Sequence, residues 1–413
     1  MSDPKPKPNP KEYTSGGSRT MTTHEFWETQ PVVQLEDMGD TTLPEGPIQP
    51  PTLVSEVRQE PYNLREDYEW ITCDMKSDDM CSEVYNFFKD HYAQKLNCNV
   101  HPSKEWLMWA LCPPGYHQSW HVGVRDKATK KLVAFISGVP ARIRVRDKVI
   151  SMANINFLCI DTDLRSRRLA PILIMEVTRR VRLKNIWQAA YPSRDVVSRP
   201  VTTCQYWGRM LNPKKLIDAG YADLGERMKM SMAVKLYKVP DAPSTPGFRE
   251  MGPFDVFGVT EFLRNYLSQF GIAACFDADD VEHWFLPRED VIHTYLVVSP
   301  ETSEITDFCS FYTVPFTISD SDSRNPKNTT VQCAYSYYNV VTQTSLPKLM
   351  NDVLTVSKQK GVDIFYALDV MQNASFFTEL KFRRSEGAHL HYHLYNYRLG
   401  SPLNPSEVGL VLW

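Results

Sequence analysis

The sequence predicts a mixed α/β (α+β) protein built from two related halves. Two observations predict this. β-rich runs separated by turn residues alternate with helices of apolar periodicity. From about residue 240 the element order of the first half recurs, and "LVAFISGVPARI" stands against "ITDFCSFYTVPFTI". A duplication of roughly 180 residues per copy is the economical explanation.

The elements follow in order. Residues 1–22 are rich in Pro, Lys and Ser and read as a disordered tail. "HEFWETQPVVQLED" brings two aromatics in an extended, Pro-terminated stretch, and residues 38–62 form a Pro-rich strap, so 23–62 reads as one covering segment. "EWITCDM" reads as a strand, and "SDDMCSEVYNFFKDHYAQKL" as a helix opened by Ser77, Asp78 and Asp79. "WHVGVRD", "KLVAFISGVPARIRVRD" and "ISMANINFLCI" are three strands. "APILIMEVTRRVRLKN" is an amphipathic helix with a cationic C-terminal half that suits the helix dipole, and "IWQAAY" is a short strand. After residue 237 come a strand and helix in "FREMGPFDVFGVTEFLRNYLSQF", then strands "HTYLVVS", "EITDFCSFYTVPFTI" and "VQCAYSYYNVVT", helix "SLPKLMNDVLTVSKQKG" and strand "VDIFYALD". The halves are therefore 63–237 and 238–413.

Composition excludes several classes. The chain has 413 residues, 42% hydrophobic and 23% charged, with net charge −3, so it lacks the basic excess of a nucleic-acid binder. No apolar run approaches the roughly 18–20 residues that span a bilayer, and "MSDPKPKPNPKEYTSGGSRTMTTHEF" lacks the apolar core of a signal peptide. The nine cysteines are scattered without a C-x-x-C pair, which reads as reduced thiols in a cytoplasmic protein rather than a disulfide framework or zinc site.

The chemistry centres on "NINFLCIDTDLRSRRLAPILI" (154–174). A strand ends near Ile160 and a helix begins near Ala170. Amides at a helix start lack helical partners, and the dipole favours an anion there. Ser166 adds a hydroxyl, and Arg165, Arg167 and Arg168 add donors that match phosphate oxygens. The small Ala170 admits close approach. This is a pyrophosphate cradle. The plain alternative is a solvated cationic helix start.

R-x-x-R-x-A after a strand resembles the pyrophosphate loop of GCN5-related N-acetyltransferases. More specifically, "INFLCI…LRSRRLAPILI", "FWETQPV", "RQEPYNL", "LMWALCPPGYHQSWHVGVR", "TCQYWGRMLNPKKLI", "VEHWFLP", "CAYSYYNVVTQTSL" and "VGLVLW" resemble the N-myristoyltransferase (glycylpeptide N-tetradecanoyltransferase) family, most like its animal branch, from about residue 24 to the end. The resemblance implies two fused acetyltransferase-like halves. The first binds myristoyl-CoA, and the second largely binds the protein whose N-terminal glycine amine is acylated. It implies no metal and no cofactor besides this acyl donor, and a monomer is expected. By motif position, Glu25, Phe26 and Trp27 match the strap over CoA. Phe157, Leu158, Cys159 and Ile160 match the acyl-carbonyl and CoA segment, and Ser166, Arg168, Leu169 and Ala170 the phosphate loop. The backbone amides of Phe157 and Leu158 match the oxyanion donors, Asn156 persists beside them, and the α-carboxylate of Trp413 matches the general base.

Departures cluster on the acceptor side. The family's E-I-N-F-L-C-V-H-K becomes Asn154 through Asp161-Thr162, and K-F-G-x-G-D-G becomes "KFRRSEG" (381–387). Y-T-A-G becomes "YPSR" (191–194), placing Pro192 and Arg194, and the acidic loop and F-R-F-x-Y wall become "AQKLNCNVHP" (93–102). Three functions are compatible: a transferase with shifted peptide preference, an acyl-CoA or lipopeptide binder with weak or no transferase activity, and an acyltransferase for another amine such as lysine. Arg194 and Arg383, if both point into the peptide groove, disfavour a basic substrate. Elsewhere, "HLHYHLYNY" (389–397) places His389, His391 and His393 on one strand face, expected to be solvent-facing rather than ligating. His121 and His283 are read as structural, and "EVTRRVRLK" (176–184) as a solvated helix face.

Overall fold

The computed structural model describes residues 25–37, 43–92, 98–100, 102–165, 167–225, 228–319 and 328–413. The expected tail 1–22, Ser166 and most of 93–102 lie outside them.

The first half contains α1 (Glu25–Glu28), β1 (Tyr68–Thr72), α2 (Asp78–His91), β2 (Cys98–Val100), α3 (Lys104–Leu111), β3 (His121–Asp126), β4 (Leu132–Val145), β5 (Lys148–Ile160), α4 (Leu169–Arg182), β6 (Gln188–Ser193), β7 (Thr202–Met210), α5 (Pro213–Asp218) and α6 (Met230–Leu236). The second contains β8 (Phe248–Glu250), α7 (Val256–Leu267), β9 (Ile272–Ala274), α8 (Ala278–Phe285), β10 (Ile292–Val298), β11 (Ile305–Thr313), β12 (Phe316–Ser319), β13 (Asn328–Val331), β14 (Cys333–Val341), α9 (Leu346–Gln359), β15 (Ile364–Leu368), α10 (Ala374–Phe377), β16 (Arg383–Tyr395) and β17 (Val408–Gly409). Helix starts are fixed locally. Ser103 Oγ accepts from the Trp106 amide (3.0 Å), and Asp277 and Asp280 cap each other's main-chain N–H across the start of α8. Glu25–Glu28, in a stretch expected to be extended, form the short helix α1.

Most strands join in one sheet, ordered β1-β3-β4-β5-β6-β16-β7-β15-β14-β11-β10-β8, with β9 pairing β4 and β17 off that path, while β13, β12 and β2 form a separate small sheet. Read from its two ends, this order shows the duplication. Each half supplies five successive strands, and the pairs β5–β6 and β14–β15 are its matching parallel steps. The sixth strand of each half is exchanged: β16 lies against β6, β7 lies against β15, and the two exchanged strands pair with each other. The strands "LVAFISGVPARI" and "ITDFCSFYTVPFTI" occupy equivalent places as β4 and β11. Helices α4 and α9 cover equivalent strands, α4 on β3, β4 and β5 and α9 on β11 and β14.

The largest core cluster is shared by both halves. Phe88, Trp109, Phe157, Phe285, Phe308, Tyr338 and Leu412 all belong to it. A second cluster lies under α9, and a third lies between α4, the strap and the sheet.

Two expectations about surface are corrected here. The "EVTRRVRLK" face is not solvated. Glu176 is fully buried and accepts from Arg179 (2.9 and 2.7 Å) and Arg180 (2.7 Å), both nearly buried. The sequence displays only charge, whereas the strap supplies the cover: Arg179 donates to the carbonyls of Arg58 and Gln59, and Glu176 accepts from the Tyr62 amide. His389, His391 and His393 do share one face of β16, but they are not all solvent-facing. His393 is 1% exposed, stacked on Tyr191 at 5.1 Å, with Ser198 Oγ 3.0 Å from its Nδ1. His121 is fully buried, and His283 Nε2 meets the Trp109 carbonyl at 2.7 Å, both structural as expected.

Candidate active site

The site begins with a bulge. Between the pairs Phe135↔Cys159 and Ser137↔Asn156, the single residue Ile136 of β4 faces Phe157 and Leu158 of β5. Such an insertion takes the extra residue out of the ladder and turns its main chain. Phe157 accordingly has φ +58°, a left-handed conformation that costs a non-glycine residue about 1–2 kcal/mol. The conformation is held on both sides. Ser137 Oγ, fully buried, donates to the Asn156 carbonyl (3.0 Å), and the Phe157 ring packs against Phe88 (5.7 Å), Trp106 (5.9 Å) and Tyr92 (6.0 Å). Leu158 is exposed, whereas Cys159 and Ile160 turn into the core; burial lifts the Cys159 thiol to about 12, so it stays protonated. Parallel pairing of β5 with β6 is confined to Met152–Asn154, so the bulge lies beyond the point where the two strands part.

The C-terminal segment faces the bulge. The Asn156 side-chain nitrogen, oriented to satisfy both neighbouring acceptors, donates to a Trp413 main-chain oxygen (2.9 Å) and to the Ile155 carbonyl (3.0 Å). Two tyrosine hydroxyls fix the preceding residues: Tyr338 Oη accepts from the Val411 amide (3.3 Å) and Tyr392 Oη from the Leu412 amide (3.0 Å). The Trp413 indole stacks on Trp109 (5.3 Å, 22°) and meets Tyr337 (5.3 Å), Tyr312 (5.6 Å) and Trp284 (5.6 Å). The structure thus brings Asn156, Phe157, Leu158 and Trp413 to one place.

Behind the bulge lies the start of α4. Arg168 is its N-cap in the left-handed region (φ 57°) with no side-chain cap, so the first amides of α4 have no side-chain acceptor. Leu169 is buried, Ala170 half-buried, and Arg167 and Arg168 exposed. The expectation for Arg165 is corrected: its guanidinium donates to the carbonyls of Ile160 (3.3 Å) and His91 (2.5 Å), bracing the loop. Asp161 has a local job too, accepting from the Asp163 amide (3.0 Å) beside His91. Trp27 of α1 stacks on Tyr191 of β6 (5.5 Å, 9°) with Phe26 edge-on to it (5.2 Å), while Glu25 is exposed. The strap is tied down by the Val33 carbonyl accepting from the Arg199 amide (2.9 Å) and the Pro31 carbonyl from the Asn396 amide (2.7 Å).

Of the remodelled positions, Pro192 sits within β6 opposite Tyr392, and Arg383 lies over the Tyr237 ring (5.8 Å). Sequence reasoning missed Tyr392 and Ser137, which with Tyr338 hold the site together. Their signal is only that of core strand residues. Among the described residues, no cluster of three or more His, Cys, Asp or Glu is arranged to hold a metal, and no helix is long and apolar enough to cross a membrane.

A duplicated α/β sheet with a bulged strand, a parting parallel pair and an open helix start beside it is the scaffold of an acyltransferase. Comparison with known proteins gives the family. The description "Myristoyl-CoA:protein N-myristoyltransferase, N-terminal domain" matches residues 47–204, and its C-terminal counterpart matches residues 218–411. The chain belongs to this family. It is 66% identical over 392 residues to glycylpeptide N-tetradecanoyltransferase 1 of Arabidopsis thaliana, covering 94% of this chain and 89% of that one. It is 43% identical to glycylpeptide N-tetradecanoyltransferase 2 of Danio rerio, covering 94% and 77%. The expected leaning to the animal branch is therefore corrected toward the plant relative. The crystal structure of Saccharomyces cerevisiae N-myristoyltransferase with bound myristoyl-CoA superposes with TM-score 0.89 at 32% identity, covering 95% of this chain and all of that one.

Proposed function

We propose that the protein transfers a myristoyl group from myristoyl-CoA to the N-terminal glycine amine of acceptor proteins. The first half, residues 63–237 with its strap 23–62, takes the acyl donor, and the second, 238–413, takes the acceptor and supplies the base. The observation that carries this reading is the Asn156 hydrogen bond, which joins the bulge to the Trp413 main-chain oxygen.

The chemistry follows from that juxtaposition. The amine, with an α-amino pKa near 8, gives its proton to the Trp413 carboxylate and attacks the thioester carbonyl. Negative charge develops on the carbonyl oxygen, where the amides of Phe157 and Leu158 stabilise it. Losing one such donor typically costs about 100–1000-fold in rate. The tetrahedral centre collapses, the C–S bond breaks, the CoA thiolate takes up the second proton of the attacking nitrogen, and the Trp413 carboxyl gives the first to solvent. Backbone donors and a main-chain base tolerate side-chain drift, which is why the remodelled acceptor side is compatible with transfer. Arg168, Leu169 and Ala170 with Ser166 receive the pyrophosphate, and Glu25, Phe26 and Trp27 cover the CoA. We place the enzyme in the cytoplasm as a monomer; the eight cysteines with described side chains are all unpaired, which suits a reducing compartment.

The test incubates the protein with myristoyl-CoA and free-amine glycine peptides, with acetyl-capped lysine peptides alongside, read by mass spectrometry. The expected product is acylated at the glycine amine. Tight myristoyl-CoA binding without transfer to any peptide would overturn the reading in favour of an acyl-CoA binder, and transfer to the capped peptides would point to a lysine acceptor.

A further inference from the structure

The ladder of β17 with β9 ends at Gly409, so the last residues of the chain leave the sheet. Val411, Leu412 and Trp413 make no backbone–backbone hydrogen bond among the described residues. Side chains from three separate strands hold them instead. Asn156 of β5 donates to the Trp413 oxygen (2.9 Å), while Tyr392 of β16 accepts from the Leu412 amide (3.0 Å) and Tyr338 of β14 from the Val411 amide (3.3 Å).

Tyr392 is itself firmly placed. It is 2% exposed in the core shared by both halves. Its main chain is paired on both sides, with Pro192 of β6 and Thr202 of β7, and its carbonyl accepts from the Val201 amide (2.7 Å). The hydroxyl that accepts from the Leu412 amide also donates to the Leu412 carbonyl (3.4 Å). In an extended residue the N–H and C=O point to one edge, so a single hydroxyl can meet both. The peptide from which Trp413 hangs is thereby pinned. Burial keeps the Tyr392 hydroxyl protonated, so it serves as donor and acceptor together. Stacking on Trp109 fixes the Trp413 indole, but the bonds between ring and main chain leave the terminal carboxyl free to turn. The hydrogen bonds remove that freedom.

We infer that Tyr392, seconded by Tyr338, is a positioning residue: its hydroxyl sets where the Trp413 α-carboxylate stands beside the bulge, and so how well that carboxylate takes the proton of the acceptor amine. This rests on the acyl-transfer reading for the carboxylate's role. Tyr392 acts through Trp413, so its loss is expected to change turnover and to leave the binding of donor and acceptor as it was.

The experiment measures kcat and KM for a glycine peptide, and Kd for myristoyl-CoA, in Tyr392→Phe, which keeps the ring and loses only the hydroxyl. At pH about 7, kcat is expected to fall about three- to tenfold, the size of one neutral hydrogen bond, with KM and Kd unchanged. At pH about 9.5 the deficit is expected to vanish, because an amine with a pKa near 8 then arrives neutral and needs no base. Tyr338→Phe, one residue further from the carboxylate, is expected to show the same pattern with a smaller loss, and it carries the test if Tyr392→Phe does not fold. Ser357→Ala is the control. It removes another buried hydroxyl, which donates to the Val353 carbonyl within α9 (2.7 Å), and is expected to leave kcat unchanged. An unchanged kcat in both tyrosine variants, a deficit that is the same at every pH, or an equal loss in Ser357→Ala overturns the inference. Hydrogen exchange of the segment after Gly409 reads the same contact without turnover and is expected to be faster in Tyr392→Phe. Unchanged exchange overturns the inference. Faster exchange in a protein that acylates no peptide upholds the tyrosine as the holder of the C-terminal oxygen and sinks the acyl-transfer reading.

Discussion

Asn156 carries more of the site than its size suggests. One amide links the bulged strand, through the Ile155 carbonyl, to the Trp413 main-chain oxygen. A hydrogen bond to a charged group contributes about 1.5–3 kcal/mol, so Asn156→Ala is expected to lower kcat by roughly 10- to 150-fold by releasing the carboxylate. Myristoyl-CoA affinity should hold, because the donor-side contacts at α4 are untouched; single-turnover rates beside a binding titration check the split. A kcat within twofold of the natural protein would mean the contact is incidental. At this scale the sequence was partly legible. Asn156, Phe157, Leu158 and Trp413 could be named by motif, since the groups expected of the last three are main-chain groups at fixed positions. The left-handed turn at Phe157 could not, because a phenylalanine at positive φ carries no mark in sequence and exists only because Ser137 and the surrounding rings hold it. Arg165 was misread for a related reason: an arginine in a helix-start loop looks like a phosphate donor until the carbonyls of Ile160 and His91 are brought to it.

At the scale of elements, α4 joins the proposed donor site to the strap. Its start is open, and its middle is a buried triad in which Glu176 pairs with Arg179 and Arg180. Removing one partner of a buried ion pair costs about 3–5 kcal/mol, because the remaining charges are left unpaired in a dry site. Glu176→Gln is expected to lower stability by that amount and to free the strap around 58–62, read as a lower thermal midpoint and faster proteolytic cleavage in that segment. An unchanged midpoint and cleavage pattern would show that the triad does not anchor the strap. The helix itself was plain from periodicity, but its inner charges were not. Glu, Arg and Arg at i, i+3 and i+4 look like a solvated face, and only the strap makes them a buried one.

The whole molecule is two copies of one arrangement laced together by exchanging β7 and β16. Local pattern revealed the copies, since each strand and helix is coded by its own residues. The exchange is a long-range pairing between residues such as Cys204 and Leu390, and nothing local announces it. Cooperativity is a consequence: each half's sheet is completed by the other. The buried histidines give this unit an acid limit. Burial depresses His121 and His393 to about 3 and His283 and His293 to about 4, below the unfolded value near 6.5. The unfolded chain therefore binds protons that the folded one refuses, so stability is full above pH about 6.5 and falls as the pH drops. By pH about 4.5 each of His121 and His393 costs about 2–3 kcal/mol. Denaturant midpoints at neutral and mildly acid pH check this, and a midpoint that is flat over that range would contradict it.

The most direct test is to lengthen the chain by two residues after Trp413 and compare transfer with donor binding. The extension replaces the carboxylate by an amide while leaving the indole packing and the bulge in place. Transfer to glycine peptides is expected to be lost, and myristoyl-CoA affinity to remain as in the natural protein. Undiminished transfer by the extended chain would contradict the C-terminal carboxylate as the base.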